Sequence, residues 1–237
     1  MKNETADTAI LLFAHTADHE AKYKSFCWGQ TSVKNKEIAR VLLQHTFRVV
    51  EQSALPLVTV LTDRQAGRTF GERLANAFQD AFEAGYQRVI CIGSDCPSLS
   101  AQDLWEAGES LQQHDMVIGP AADGGTYLIG MHISCFNPEA FAMLNWQTPE
   151  VLDELKLYSF RQHSSLGCFG LLAQKADIDA AGDLVLALQH LPVAHKLRKK
   201  LLAIFKARFL KFPMLRNLLL KALELYLGKP LLRAPPI

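Results

Sequence analysis

Two carboxylates stand where a strand or a turn would expose them to a ligand, and the first of them is Asp95. It follows the mainly apolar residues 88–93 after one intervening serine, Ser94, and Pro97 holds the turn behind it. A carboxylate at the end of a buried strand suits a hard divalent cation such as Mg²⁺, which proteins bind through one or two carboxylates together with substrate phosphates. Asp and Pro are also ordinary turn residues, so a simple turn-capping role for Asp95 fits the same pattern.

The second carboxylate is Asp123, which precedes the adjacent glycines Gly124 and Gly125. Two glycines before a strand let the backbone approach a ligand closely, so that Asp123 could contact a sugar or nucleotide hydroxyl or a metal. Asp-Gly is equally a favoured hairpin dipeptide. The motif therefore predicts either a ligand-lining turn or a plain hairpin.

A late acidic turn contains Asp177 and Asp179, with Asp183 four residues further on. Asp179 could cap a helix that begins near residue 180, with Asp183 in its first turn. Asp177 and Asp179 become candidate metal ligands if this turn faces Asp95.

Other patterns carry less chemistry. His15, His19 and Glu20 form a weak metal-ligand pattern, and Cys96 has no evident base that would activate it. The sequence has no Walker-type loop and no Gly-x-Gly-x-x-Gly fingerprint, which excludes the common motifs of P-loop enzymes and NAD dehydrogenases.

The elements that must position these residues alternate between apolar runs and amphipathic stretches. Strands are predicted at residues 9–14, 57–61, 88–93, 115–119, 127–132 and 171–174, and the main helices at residues 37–52, 70–84, 101–113 and 180–189. Such alternation predicts a parallel or mixed sheet covered by helices on both faces. Ligands of these sheets bind beyond the carboxyl ends of the strands, where the candidate residues fall.

The bulk composition indicates an ordinary globular protein. Of 237 residues, 49% are hydrophobic and 21% charged, which suffices for one large α/β domain with an appendage. The five cysteines include no Cys-x-x-Cys pair, and the polar N-terminus lacks the pattern of a signal peptide. We therefore expect a protein of the reducing cytoplasm.

The net charge of +1 hides a strong asymmetry along the chain. Residues 1–189 carry 14 Lys and Arg against 23 Asp and Glu, whereas residues 190–237 carry 11 Lys and Arg and a single acid, Glu224. We predict a domain at residues 1–190 and a basic amphipathic helical extension at residues 191–237. Residues 196–227 could lie on an anionic membrane, peripherally on its inner face, or pack on the domain or on a second subunit. Nucleic acid is not an expected partner, because no recognition motif accompanies the basic residues.

Taken in order, these segments resemble a known family. The segments that carry the resemblance are residues 70–77, 93–97, 119–120 and 123–130, then Trp146 and Thr148, and finally residues 177–184. They are similar to the DUF2064 family, glycosyltransferase-A-like proteins also called selenodomain-associated transferase 1. A more distant similarity is to the molybdenum-cofactor and coenzyme F420 guanylyltransferases.

The resemblance implies a GT-A fold, a three-layer α/β/α sandwich with a mixed sheet that binds a nucleotide or nucleotide-sugar together with Mg²⁺ or Mn²⁺. Asp95 then corresponds to the strand-end metal ligand, with Asp179 and Asp177 near the metal. Asp123 lines the acceptor or sugar side and is, with Asp95, a candidate catalytic residue. The residues expected to bind nucleotide or substrate are Glu72, Arg73, Ser94, Gly124, Gly125, Lys22 and Lys24.

One segment departs from the family pattern. The first strand of the family usually runs into a basic loop that contains Pro and Gly and ends in Lys-Thr-Arg, where the nucleotide phosphates are expected to bind. Residues 14–24 of this chain contain neither Pro nor Gly. Either Lys22 and Lys24 supply the positive charge instead, or nucleotide binding is weakened or lost.

The resemblance leaves more than one function open. The expected activity is metal-dependent glycosyl transfer from a nucleotide-sugar donor. A guanylyltransferase type of nucleotidyl transfer to a phosphorylated acceptor, with release of pyrophosphate, is the first alternative. A GT-A-like protein that has lost catalysis and only binds a partner is the second.

Overall fold

The computed structural model describes residues 7–27, 32–162 and 169–209. Its strands in chain order are β1 (Thr8–Ala14), β2 (Leu57–Leu61), β3 (Arg88–Ile92), β4 (Met116–Pro120), β5 (Thr126–His132) and β6 (Phe169–Leu171). They form one sheet in the order β2-β1-β3-β5-β4-β6. β5 runs antiparallel to β3 and β4, whereas the other pairs are parallel. The expected mixed sheet is confirmed.

Helices cover both faces of this sheet. In chain order they are α1 (Ala17–Tyr23), α2 (Ser32–Ser53), α3 (Phe70–Glu83), α4 (Ala101–Ser110), α5 (Pro138–Ala142), α6 (Val151–Gln162), α7 (Ala181–His190) and α8 (Lys196–Phe209). Alternate residues of a strand point to opposite faces. In β1, Leu11 and Phe13 accordingly pack in one cluster with α3, α5 and α6, while Ile10 and Leu12 pack with α2 and α4. The predicted three-layer α/β/α sandwich of GT-A type is confirmed.

Two local expectations were wrong. Residues 15–34 were expected to be irregular, but α1 begins three residues after β1, and α2 begins at Ser32, five residues before the apolar periodicity predicts. Strand β2 was expected to be buried, but it is an edge strand on which only Val60 is fully covered. A short apolar run does not show whether a strand has one neighbour or two.

Helix α8 opens the basic segment and packs on the domain. Its apolar residues Leu197, Leu201 and Ile204 lie in one buried cluster with Ile38 and Leu42 of α2. This part of the segment therefore turns its apolar side toward the protein rather than toward a membrane. Residues 210–227 of the predicted membrane-binding stretch lie outside the described residues, and the boundary at residue 190 stays a prediction. No helix among the described residues is long and apolar enough to span a bilayer.

Two histidines meet where α2 contacts the start of α8. The rings of His45 and His195 have centroids 5.5 Å apart. Burial, followed by the nearby His195, lowers the pKa of His45 to about 4, although a hydrogen bond with the Pro97 backbone acts in the opposite direction. The neutral form of His45 is therefore the one that fits the fold.

This pKa makes the stability of the fold depend on pH. Below its ordinary pKa of 6.5, His45 takes up a proton in the unfolded chain but stays neutral in the folded protein down to about pH 4. We expect the free energy of unfolding to decrease as the pH is lowered from 6.5 to about 4, with a contribution from His45 of at most about 1.4 kcal/mol per pH unit. Urea unfolding on either side of the window measures the slope. It should flatten in His45→Gln and persist in His190→Gln, whose ring is exposed; an equal slope in both variants would contradict the prediction.

Candidate functional site

A cavity of about 1160 Å³ opens at one edge of the sheet. Its walls include the ends of β1 and β3 and the beginning of β5, which meet at this edge because β5 runs antiparallel. Ligands of open α/β sheets bind beyond the carboxyl ends of the strands. The cavity therefore lies where the sequence predicts the ligand crevice.

One side of the cavity is acidic. Five carboxylates line the cavity, and they come from distant parts of the chain: Glu20, Asp95, Asp123, Asp177 and Asp179. The backbone N–H of Ile178 donates a hydrogen bond to the Asp95 carbonyl at 2.9 Å, which fixes the late acidic turn against the end of β3. The condition set for Asp177 and Asp179 as metal-ligand candidates, that their turn faces Asp95, is met.

Lys24 lies at the centre of this acidic side. Its Nζ is 2.6 Å from Asp95 Oδ2, 2.8 Å from Asp179 Oδ1 and 3.1 Å from Glu20 Oε1. Burial alone would lower the pKa of Lys24, but the carboxylates of Asp95 and Glu20 and the hydrogen bond with Asp179 outweigh it, so that the pKa is raised. Lys24 is thus a permanent cation, directed at the acids. The predicted partner Lys22 is exposed and does not line the cavity.

Asp177 has a buried carboxylate oxygen, Oδ1, that no hydrogen bond from the described residues stabilises. Burial first, then the charges of Asp95, Asp123 and Asp179, raise the pKa of Asp177 well above its usual range. A buried carboxylate of this kind requires either a proton or an additional cation nearby.

The turn at residues 123–125 joins the antiparallel strands β4 and β5, so it is a hairpin. Asp123 and Gly125 also line the cavity, whereas Gly124 is not among the lining residues. Asp123 Oδ1 accepts a hydrogen bond from the backbone N–H of Gly125 at 2.9 Å. Gly124 has φ of +93°, a conformation that L-residues rarely adopt. The two interpretations of this motif are therefore compatible.

The cavity is also lined by Arg73 and by the aromatic rings of Phe70 and Trp146, whose centroids are 5.7 Å apart. Ser94 and Gly125 also line the cavity. The structure thus places Arg73 and Ser94, both expected to bind nucleotide, at the cavity. Trp146 was noted in the sequence only as part of the family pattern.

Glu72 has a different position. It is exposed and does not line the cavity, and its Oε2 accepts hydrogen bonds from the backbone N–H of Arg68 at 2.6 Å and of Thr69 at 3.2 Å. These bonds lower the pKa of Glu72 and form a capping box at the start of α3. The side chain is engaged in holding the helix terminus.

The segment after β1 contributes an aromatic stack that the sequence did not indicate. His19 of α1 lies between His15 and Tyr23, with centroid distances of 4.3 Å and 4.9 Å, and all three line the cavity. Burial first, then the charges of His19 and Arg73, lower the pKa of His15, which keeps that ring neutral.

Cys96 is buried, and burial raises the pKa of its thiol to about 12, which agrees with a structural role.

Comparison with known proteins adds a family to this geometry. Residues 31–148 match the family model described as "Uncharacterized protein conserved in bacteria (DUF2064)". This match confirms the resemblance to the DUF2064 family over these residues. No protein with curated annotation matches the chain.

Solved structures confirm the fold. A protein of Desulfovibrio desulfuricans G20, provisionally named a nucleotide-diphospho-sugar transferase, matches with a TM-score of 0.74 and 23% identity, over 85% of this chain and 98% of its own. Two further matches have lower TM-scores. The 4-diphosphocytidyl-2C-methyl-D-erythritol synthase of Anaerococcus prevotii DSM 20548 has a TM-score of 0.48 and 12% identity, over 78% of this chain and 97% of its own. Rv0371c of Mycobacterium tuberculosis H37Rv, in complex with manganese, has a TM-score of 0.44 and 12% identity, over 78% and 98%.

The DUF2064 match includes only part of the acidic side. Asp95 and Asp123 lie within residues 31–148, whereas Lys24, Asp177 and Asp179 lie outside them. The placement of Lys24, Asp177 and Asp179 at the site is therefore supported by the structure of this chain and not by the family match.

The carboxylates fit a divalent cation in type and charge. Hard oxygen ligands suit Mg²⁺ and Mn²⁺, and the buried Oδ1 of Asp177 has no hydrogen-bond partner among the described residues. Across residues 7–27, 32–162 and 169–209, however, no three His, Cys, Asp or Glu side chains are arranged to share one metal ion. Asp95 and Asp179 converge on the Lys24 ammonium instead.

The glycine turn should not tolerate a side chain at Gly124. A Cβ there would come within 2.4 Å of the Pro149 carbonyl oxygen, and the positive φ adds strain. We expect Gly124→Ala to lower the free energy of unfolding by about 1–3 kcal/mol. The matched control is Gly108→Ala in α4, where a Cβ meets no atom within 4 Å. Urea unfolding measures both variants, and equal stabilities would contradict the prediction.

Proposed function

We propose that this chain is a glycosyltransferase that uses a nucleotide-sugar donor and a divalent cation. The observation that supports the proposal is the cavity at the strand ends, which is lined by several carboxylates and by Arg73. A nucleoside diphosphate sugar has the matching features, a diphosphate that binds cations and a sugar with hydroxyls. The cavity volume of about 1160 Å³ is large enough for such a ligand.

The acidic side would hold the cation. Asp95 and Asp179, with the unpartnered oxygen of Asp177, are the oxygen ligands that a hard cation prefers. When bound, the cation neutralises the charge that develops on the leaving diphosphate. Arg73 also lines the cavity, where its guanidinium can pair with a phosphate oxygen.

The turn at Asp123 would serve the acceptor. Asp123 is an exposed carboxylate at the cavity, oriented by the hydrogen bond from the Gly125 N–H. We propose that it accepts the proton of the attacking hydroxyl group. Ser94, Gly124 and Gly125 lie beside it and would contact the donor through backbone groups and the Ser94 hydroxyl.

Nucleotidyl transfer is the second candidate, and the charge of the cavity counts against it. Among the described lining residues, the permanently charged cations are Lys24 and Arg73, and Lys24 already pairs with carboxylates. A triphosphate requires more positive charge than a diphosphate. Product analysis separates the two reactions, because nucleotidyl transfer releases pyrophosphate and glycosyl transfer releases a nucleoside diphosphate.

Thermal unfolding with Mg²⁺ or Mn²⁺ and a panel of nucleotide-sugars tests the proposal. A donor present at about 100 times its Kd should stabilise the protein by roughly 2.7 kcal/mol. We expect the shift to require the metal and to exceed that given by the nucleoside triphosphates. A protein that no nucleotide-sugar or nucleotide stabilises would refute the proposal and favour a fold that only binds a partner.

We also propose a cytoplasmic location, supported by cysteines that lack any Cys-x-x-Cys pair. The described cysteines are buried.

We propose that any membrane contact is made by residues 210–227, because α8 turns its apolar residues toward α2. Sedimentation with anionic vesicles, for the full chain and a chain ending at residue 209, tests this: equal binding of the two would refute it.

A further inference from the structure

The ammonium of Lys24 has no donor left for a ligand. It contacts Asp95 Oδ2 at 2.6 Å, Asp179 Oδ1 at 2.8 Å, Glu20 Oε1 at 3.1 Å and the Ile178 carbonyl oxygen at 3.3 Å. An ammonium group has three N–H donors. The Lys24 ammonium lines the cavity, but its donors are all engaged with the carboxylates and the Ile178 carbonyl oxygen.

Glu20 has a separate part in this arrangement. It lies one turn before Lys24, and its side chain is only 13% exposed. Burial first raises the pKa of Glu20, while the charge of Lys24 acts in the opposite direction. The pair is thus mutually dependent, and Glu20 holds Lys24 from the side of α1.

The same oxygens cannot serve an ammonium and a divalent cation together. Asp95 Oδ2 and Asp179 Oδ1 are 2.6 Å and 2.8 Å from Nζ. A Mg²⁺ ion that bound both oxygens at ~2.1 Å would therefore lie within about 5 Å of the ammonium. Two cations at such a separation repel strongly inside a partly buried site. A metal therefore reaches these two carboxylates only when Lys24 leaves them.

We infer that Lys24 is an internal counter-cation that competes with a divalent metal for Asp95 and Asp179. The inference rests on the proposed function only in taking these two residues as the metal ligands. In the metal-free protein, Lys24 neutralises the site and keeps the acidic turn against β3. When a metal binds, the ammonium is released and becomes available to an anionic group in the cavity.

Titration with Mn²⁺ alone, followed by calorimetry or by the loss of the free Mn²⁺ paramagnetic resonance signal, tests the competition. Lys24→Met should bind Mn²⁺ about 10-fold or more tightly than the wild type, because the competing cation is gone. Lys22→Met is the matched control: it removes one positive charge two residues away, from an exposed side chain outside the cavity. Its affinity should stay close to that of the wild type. Adding Asp95→Asn to Lys24→Met should abolish the gain.

A second variant protects the test against misfolding of Lys24→Met. Glu20→Gln keeps the ammonium but removes the charge that holds it from α1, so it should also tighten Mn²⁺ binding, by a smaller factor. Equal, measurable affinity in the wild type, Lys24→Met and Glu20→Gln would overturn the competition while leaving the metal dependence of the proposed function intact. No Mn²⁺ binding in any variant would overturn both. Weaker binding by Lys24→Met would show that the ammonium supports the site, and would likewise overturn the inference.

Discussion

Asp95→Asn should reduce metal-dependent transfer by about 1000-fold, which corresponds to about 4 kcal/mol of transition-state stabilisation. Asp95 is the carboxylate at the end of β3, its Oδ2 lies at the acidic side of the cavity, and its backbone carbonyl holds the turn with Asp179. Asparagine keeps the shape of the side chain and removes its charge. The expected losses are therefore in cation binding and in turnover rather than in the fold.

The measurement is the initial rate of nucleoside diphosphate release from the donor found by the thermal panel, across a range of Mn²⁺ concentrations. Asp80→Asn is the matched control, an exposed aspartate of α3 outside the cavity. It should retain wild-type turnover. Asp95→Asn also removes one partner of Lys24, so its unfolding curve must be recorded. A folded Asp95→Asn protein with more than a tenth of the wild-type rate would exclude Asp95 as the central ligand.

Asp95 could be predicted from the sequence because its signal is local. A buried apolar strand that is followed by Asp-Cys-Pro places a carboxylate at the carboxyl edge of the sheet, whatever the position of that strand in the sheet order. Asp177 and Asp179 depend on a contact across more than eighty residues, the hydrogen bond from Ile178 to Asp95. Spacing along the chain carries no information about that contact, so their approach to Asp95 required the structure.

Lys24 and Glu72 show two reasons why the position of a side chain could not be predicted from the sequence. The positive charge of Lys24 was identified, but its target was not, because the short helix α1 directs it at the acids. Glu72 was expected at the nucleotide pocket, although the pattern Thr69-x-x-Glu72 is a capping-box signature that is visible in the sequence. The position of Lys24 depends on the tertiary structure, which sequence spacing does not give. The error at Glu72 follows from giving the family pattern more weight than local helix chemistry.

The basic segment is a case in which composition alone left two explanations. Alternating apolar and basic residues suit a membrane surface and a protein surface equally well. The structure decides for α8, since Leu197, Leu201 and Ile204 are covered by α2 and α7. A mutation can therefore test whether this helix is part of the folded domain.

Leu201→Ala should lower the free energy of unfolding by about 3 kcal/mol. The side chain is fully buried between α8, α2 and α7, so its truncation removes apolar contacts and leaves a cavity. The midpoint of thermal unfolding should fall by about 2–4 °C for each kcal/mol in a chain of this size.

Leu186→Ala is the matched control, because it makes the same truncation on α7 at a side chain that is 46% exposed. It should cost much less than Leu201→Ala. If α8 instead left the domain to bind a membrane, Leu201 would be solvent-exposed in the free protein, and both truncations would have equally small effects. A large difference between them means that α8 is packed on α2 and α7 in the free protein and is part of the folded domain.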